Sequence, residues 1–251
     1  MIFATWNLEH FWPIPGEPLL IRKNGEATRL RDQRLIERTC DAVQSLGADI
    51  LCVQEIGGLE GMYVLSPHTQ NFVEVRLDDT LPAPERRHGL GFAVRNHLQV
   101  ERLPDIPLST AEGSDAYARD ALALNIEGQF IALGLHLKAG CRDKLRLDKR
   151  APCKVLQAQV QMLCDWMARQ TLPLLLLGDF NRVLGQPRDP ILAQFKAAAS
   201  LDLAPLSHRQ IDHILTPPHW VLSPCGPKGL TGYSDHRPVI MAAQNVSKWN
   251  G

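Results

Sequence analysis

The chain has 251 residues, 45% of them hydrophobic and 22% charged, with 27 basic side chains against 27 acidic ones. That length can bury a large core, and the composition is that of a globular protein rather than a disordered or fibrous one. Zero formal charge excludes a global pull toward polyanions, and no apolar run approaches the roughly 20 residues that span a bilayer.

In chain order, IFATWNL at 2–8 reads as a strand, and its opening MIFATWNLEHF carries no basic segment before an apolar one. No secretory signal is therefore expected, unless one has been removed. From about Thr28 to Leu46, apolar residues at Leu30, Leu35, Ile36, Cys40, Val43 and Leu46 follow a helical period, and Gly47 stops it. Asp49 to Glu55 predicts a short buried strand, closed by Gly57-Gly58. Phe72 to Leu77 and Leu90 to Val94 predict two more strands, joined by a polar, proline-bearing connection. Residues 121–126 and 130–137 predict a hairpin about Glu127-Gly128. A second long helix is expected from about Pro152 to Arg169, proline suiting its first turn. Leu174 to Leu177, after Pro173, is a continuous apolar run of the kind found in strands buried on both faces. A short helix over about 190–199 and strands at 211–215 and 238–242 complete the pattern. The passages 28–55 and 152–179 share one helix-then-strand layout, and no linker or repeat divides them. A single domain over 1–251 with two similar halves is expected.

The ends of these strands carry the chemistry. The first ends at Asn7 and Glu9, the second at Glu55, the hairpin at His136 and Lys138, and the leucine strand at Asp179 and Asn181. Asp212 begins the penultimate strand, and Asp235-His236 precedes the last. One such carboxylate is ordinarily a helix cap or a turn residue. A whole set on neighbouring strands would converge on one rim, where α/β proteins place their sites. Asn7, Glu55, Asp179, Asn181 and Asp235 offer hard oxygen ligands suited to Mg²⁺ or Mn²⁺, with Ca²⁺ a further option. His136 and His236 add groups able to move protons near neutral pH. Carboxylates, an oxyphilic cation and histidines together equip a site to hydrolyse a phosphoester.

The motifs TWNLE at 5–9, QE at 54–55, GLHLK at 134–138, GDFN at 178–181, ID at 211–212 and SDHRPV at 234–239 stand in the order found in the endonuclease/exonuclease/phosphatase superfamily. The chain resembles that group, which includes pancreatic-type deoxyribonucleases, abasic-site endonucleases, inositol polyphosphate 5-phosphatases and bacterial sphingomyelinases. The resemblance implies a four-layer α/β sandwich, two packed mixed β-sheets flanked by helices. It implies Glu55 as central metal ligand with Asn7 and Asp235 near it. Asp179 and Asn181 would orient the attacking water or hold a second metal. His236 would be the catalytic histidine, oriented by Asp212, and His136 matches the second histidine of the deoxyribonuclease, sphingomyelinase and 5-phosphatase branches. Arg119, in YARDAL, is similar to an arginine that supports the site or touches phosphate. Glu9 is open between supporting the metal and capping a surface turn, and alternation turns His213 away from Asp212. Neither Asp179 nor His236 is expected in the core, so replacing either should remove turnover and spare stability.

Seven basic residues lie between Lys138 and Lys154, and Lys138 and Arg142 are the expected phosphate contacts among them. This points to a metal-dependent nuclease or phosphodiesterase acting on DNA or RNA. The alternative is a phosphatase or phosphodiesterase for a small molecule such as a phosphorylated sugar, inositol or lipid headgroup. The partner is then nucleic acid or another phosphoester, and the protein is expected to be a monomer. The six cysteines form no CxxC. A Cys141–Cys153 disulfide is geometrically possible and would imply an oxidising compartment, periplasmic or extracellular; free thiols would suit the cytoplasm.

Overall fold

The computed structural model describes residues 1–11, 19–23, 26–31, 33–74, 89–111, 119–141, 150–186, 188–204, 210–227 and 229–244. The chain runs β1 (Ile2–Phe11), β2 (Leu19–Lys23), β3 (Glu26–Arg31), α1 (Gln33–Ser45), β4 (Ile50–Ile56), α2 (Leu59–Leu65), β5 (Thr69–Glu74) and β6 (Gly89–Arg95). It continues through β7 (Val100–Arg102), β8 (Leu122–Ile126), β9 (Phe130–His136), α3 (Ala151–Met167), β10 (Leu174–Asp179), α4 (Pro190–Ala199), β11 (Asp202–Leu203), β12 (Asp212–Thr216), β13 (Val221–Pro224) and β14 (Val239–Gln244).

Two six-stranded sheets result, ordered β13-β14-β1-β4-β6-β5 and β11-β12-β10-β9-β8-β7, with β2 and β3 as a separate hairpin. Each large sheet is mixed, because it holds one parallel pair, β1 with β4 or β9 with β10, among antiparallel neighbours. Parallel strands need a crossover, and α1 and α3 supply it. The two similar passages of the sequence are thus the two crossovers. Their consequence is functional: both members of a parallel pair end on the same rim, and the antiparallel neighbours β12 and β14 begin there.

Three apolar clusters make four layers. Phe3, Ile50, Cys52 and Phe92 of one sheet meet Leu122, Leu124, Leu175 and Leu177 of the other between the sheets. Leu156, Val160 and Leu163 of α3 and Phe195 of α4 cover the outer face of the second sheet, where they meet Leu174 and Leu176. Ile36 and Val43 of α1 and Met62 and Leu65 of α2 cover the outer face of the first. The four leucines of β10 therefore alternate between two cores, as a strand covered on both faces requires. Among the described residues no helix is long and apolar enough to cross a membrane.

Two sequence expectations shift, and one helix is new. The first helix begins at Gln33 rather than near Thr28, because Glu26–Arg31 pairs with Leu19–Lys23 as a hairpin. In EATRLR every second residue can also be read as one strand face, so the local pattern fits both periods and pairing decides. The strand expected at 72–77 is Thr69–Glu74, its last expected residues lying outside the described ones. The short helix α2, after Gly57-Gly58, is an element that the sequence pattern does not announce.

Gly178 lies inside β10, opposite Leu135 and His213. A side chain there would collide with the carbonyl oxygen of Leu135, so close strand approach requires glycine. Gly178→Ala is expected to cost on the order of 3 kcal/mol or more, since a backbone oxygen cannot step aside as a side chain can. A thermal melt within a degree of wild type would contradict this.

Candidate active site

Six strands meet at the rim, with Asn7 inside β1, which runs on past an irregularity to Phe11 rather than ending there. β1 brings Asn7, β4 brings Glu55, β9 brings His136 and β10 brings Asp179, while Asp212 opens β12 and His236 lies just before β14. Local backbone distortion aims several of these groups. Gln54 pairs with Leu90 and Ile56 with Gly89, leaving Glu55 as the extra residue of a bulge with φ 59°. Glu9 (φ 49°) sits in a similar irregularity of β1, and Asn181 (φ 51°) follows β10. Bulges and left-handed residues of this kind redirect side chains at the edges of sites, at about 1–3 kcal/mol each.

Asp179 is the centre of the arrangement and, contrary to the sequence expectation, is only 1% exposed. Its Oδ1 accepts the Asn181 backbone N–H at 2.7 Å. Its Oδ2 accepts from Asn7 Nδ2 at 3.1 Å and lies 3.8 Å from His136 Nε2 and 4.0 Å from His236 Nε2. The same Asn7 amide donates to Glu55 Oε1 at 3.1 Å, and that oxygen lies 4.0 Å from His136 Nε2. Glu55 and Asp179 thus face one another across Asn7 and His136. Burial, reinforced by the nearby charge of Asp212, pushes the Asp179 carboxyl up to about 6, against the pull of both imidazoles.

His236 Nδ1 meets Asp212 Oδ2 at 2.7 Å, which leaves Nε2 turned toward Asp179. Burial by itself would lower this imidazole. The Asp212 hydrogen bond and the charges of Asp212, Asp179 and Asp235 outweigh it and raise His236 to about 9. For Asp212 burial pushes the carboxyl up while the hydrogen bond from His236 pulls it back. Ser234 sets the histidine's backbone: its hydroxyl donates to the Asn7 carbonyl at 2.8 Å and accepts the His236 N–H at 3.0 Å. The indole of buried Trp6 adds a bond to the His236 carbonyl at 3.2 Å. Ser234 stands in the SDHRPV motif, but no task for it can be read from the motif. Nothing local pairs it with Asn7, which lies 227 positions away.

The other expected residues fall as follows. Asp235 is beside His236, 3.7 Å from its Nε2, but its side chain is 62% exposed. Glu9, left open from sequence, accepts the Asp235 N–H at 3.1 Å and so ties β1 to the SDH segment. Asn181 Nδ2 donates to the Leu137 carbonyl at 2.9 Å, fixing the backbone just past His136. Lys138 is partly exposed beside that point, and Arg142 lies outside the described residues. Arg119, 2% exposed, precedes β8 on the same rim and acts electrostatically on Glu74. Burial and Asp120 lift the Glu74 carboxyl to about 7, and Arg119 opposes this. His213 faces away as alternation demands, packing on Phe180 and meeting Arg182 O at 2.9 Å; burial lowers it to about 4.

The donor set fits a hard divalent cation. Buried Asp179 and Asp212 with nearby Glu55 concentrate carboxylates at the rim, and among the described residues no thiolate joins them to favour a softer ion. Ligand atoms of Asp179, Asp212 and His236 lie within 4.8 Å of one another. Asn7, expected as a metal ligand, turns its Nδ2 to both carboxylates and its Oδ1 to the Glu9 N–H at 3.0 Å, so the oxygens that face the pocket beside protonated His236 are those of Glu55 and Asp179.

A two-sheet sandwich whose parallel strands deliver two carboxylates, an asparagine and a histidine to one rim, where antiparallel neighbours add Asp212 and His236, is the build of a phosphoester hydrolase. The chain belongs to the Endonuclease/Exonuclease/phosphatase family, whose model matches residues 4–236. No curated protein matches the sequence significantly. Among solved structures, the catalytic domain of human Nocturnin, with bound sulfate, is similar at TM-score 0.64 and 18% identity, covering 97% of this chain and 94% of that one. A mannosyl-6-phosphatase from Bacteroides thetaiotaomicron is similar at TM-score 0.63 and 17% identity, over 97% and 99%. A 3'-5' exonuclease from Neisseria meningitidis reaches TM-score 0.56 and 15% identity, over 97% and 99%. At these identities the likeness is one of fold.

Proposed function

We propose that the protein is a Mg²⁺- or Mn²⁺-dependent phosphodiesterase that cleaves nucleic acid. The observation that carries the reading is the placement of Asp179 Oδ2 between two imidazole Nε2 atoms, at 3.8 and 4.0 Å, with Glu55 adjoining. A divalent cation held by Glu55 and Asp179, whose carboxylates Asn7 Nδ2 bridges, would neutralise phosphate charge and stabilise the charge that develops on attack. Asp179, ionised above about pH 6, orients and deprotonates the attacking water, with its far oxygen fixed by Asn181. His236 carries its proton at neutral pH and presents Nε2–H to a phosphoryl oxygen, while Asp212 fixes the ring. His136, 3.8 Å from Asp179 Oδ2 on the neighbouring strand, would protonate the leaving alkoxide oxygen. Exposed Arg150 and Lys154 and partly exposed Lys138 support a polyanionic substrate.

Supercoiled-plasmid nicking tests the reading. Wild-type protein should nick with Mg²⁺ or Mn²⁺, lose nicking in EDTA, and lose it with His236→Ala. Folded, metal-supplied protein that leaves plasmid and single-stranded RNA intact, yet releases phosphate from a sugar phosphate, would transfer the same chemistry to a small phosphomonoester.

A further inference from the structure

The segment that leaves His136 is held on both sides. On the site side, the Leu137 N–H donates to the Asp179 carbonyl at 2.9 Å and the Leu137 carbonyl accepts from Asn181 Nδ2 at 2.9 Å. On the other side stands α3. Gln159, 1% exposed, uses its Oε1 to accept the Lys138 N–H at 2.9 Å and turns its Nε2 toward the Leu108 carbonyl at 3.5 Å. Three residues past Lys138, Cys141 is joined to Cys153 near the start of α3. The spacing agrees: six helical residues from Cys153 to Gln159 rise about 9 Å. Three residues from Lys138 to Cys141, bent at Ala139, reach at most about 10 Å. The chain after His136 therefore lies along α3, tied at two points. Cys141, Cys153 and Leu137 are buried in the same outer cluster as Leu156 and Val160.

A buried glutamine that satisfies a backbone N–H is strongly oriented, since losing it strands that donor. Neither Gln159 nor the disulfide touches the reacting groups, yet they fix the backbone two and five residues beyond His136. We propose that Gln159 and the Cys141–Cys153 bridge are a two-point brace that positions His136 for turnover, so that catalysis depends on the oxidised pair while the fold does not. The inference rests on the reading of His136 as a proton-transferring group. Reduction by a dithiol breaks the S–S bond, leaves Cys141 and Cys153 as thiols, and oxidises the dithiol to its own disulfide. Four other cysteines are free already, so full reduction raises the thiol count of the unfolded chain from four to six.

The test uses the whole protein in four forms besides the oxidised wild type: dithiothreitol-reduced wild type, Cys141→Ser/Cys153→Ser, Gln159→Glu and Gln159→Leu. Turnover of bis(p-nitrophenyl) phosphate with Mn²⁺ is measured beside the His136 ring resonance in carbon–proton NMR spectra. Gln159→Glu keeps the acceptor for the Lys138 N–H and should keep kcat within about threefold. The other three should lose kcat by about 10- to 100-fold at similar KM, because small misplacements of a reacting group cost that much. They should also shift the His136 resonance while circular dichroism is unchanged. Unchanged kcat and an unmoved His136 signal in Gln159→Leu or in the double serine variant would overturn the brace. So would unfolding of both Gln159→Leu and the reduced wild type, since a brace for the site leaves the core standing. If wild-type protein hydrolyses neither this diester nor plasmid, the proposed function falls, and the His136 resonance still decides the brace.

Discussion

Asp179→Asn is expected to lower kcat on the order of 10³-fold and to leave the metal-free protein as stable as wild type, or more so. Asp179 combines three demands on one carboxylate: it faces the cation pocket, it lies between two imidazoles, and it is buried. Burial and Asp212 raise its pKa from 3.8 to about 6, so the ionised form is disfavoured by the fold. For a carboxyl raised in this way, stability falls as pH climbs from about 4 to 6 and the group gives up its proton. An amide carries no such penalty: its one oxygen can still accept the Asn181 N–H, while Asn7 Nδ2, losing Asp179, keeps Glu55 Oε1 as its acceptor. Melting curves in EDTA should therefore show the wild type losing stability over that window and the variant losing less. Added Mn²⁺ should stabilise the wild type, whose cation pocket is intact, more than the variant. A variant that melts well below wild type, or retains a tenth of its turnover, would show that Asp179 is not the general base.

Replacing His236 by alanine should also cost about 10²- to 10⁴-fold in kcat, but in this case stability falls as well. From sequence both substitutions look harmless to the fold. The 2.7 Å contact with Asp212 separates them, because without the imidazole a carboxylate only 4% exposed is left unpaired. The pH dependence has a definite sign. His236 is raised from 6.5 to about 9, so its contribution is fully present below pH 6.5 and is lost as pH rises through 9. That contribution is on the order of 3 kcal/mol and is shared with Asp212 rather than additional to it. The melting difference between wild type and His236→Ala should thus be widest near pH 6 and close above pH 9. A gap that does not vary with pH would mean that the imidazole packs at this position without being charged.

Much of this protein is written locally. Leu174 to Leu177 cannot sit anywhere but between two apolar layers, and their alternation between the inner and outer clusters follows from a period of two. The crossover helices α1 and α3 are legible from apolar spacing, and Asn7, Glu55, His136, Asp179, Asp212 and His236 from their position at strand ends. Where two local patterns fit one segment, as in EATRLR at 26–31, only pairing with Leu19–Lys23 settles the matter. The burial of Asp179 is also beyond the sequence, because a residue after a strand is exposed or enclosed according to what the opposite sheet brings over it. The same holds for Ser234 on Asn7 and for Gln159 on Lys138, contacts made across 227 and 21 positions. Composition and period determine which residues are apolar and which element each forms. Which polar atom satisfies which is decided only when two sheets close on each other, because hydrogen bonds depend on distances that no local pattern contains.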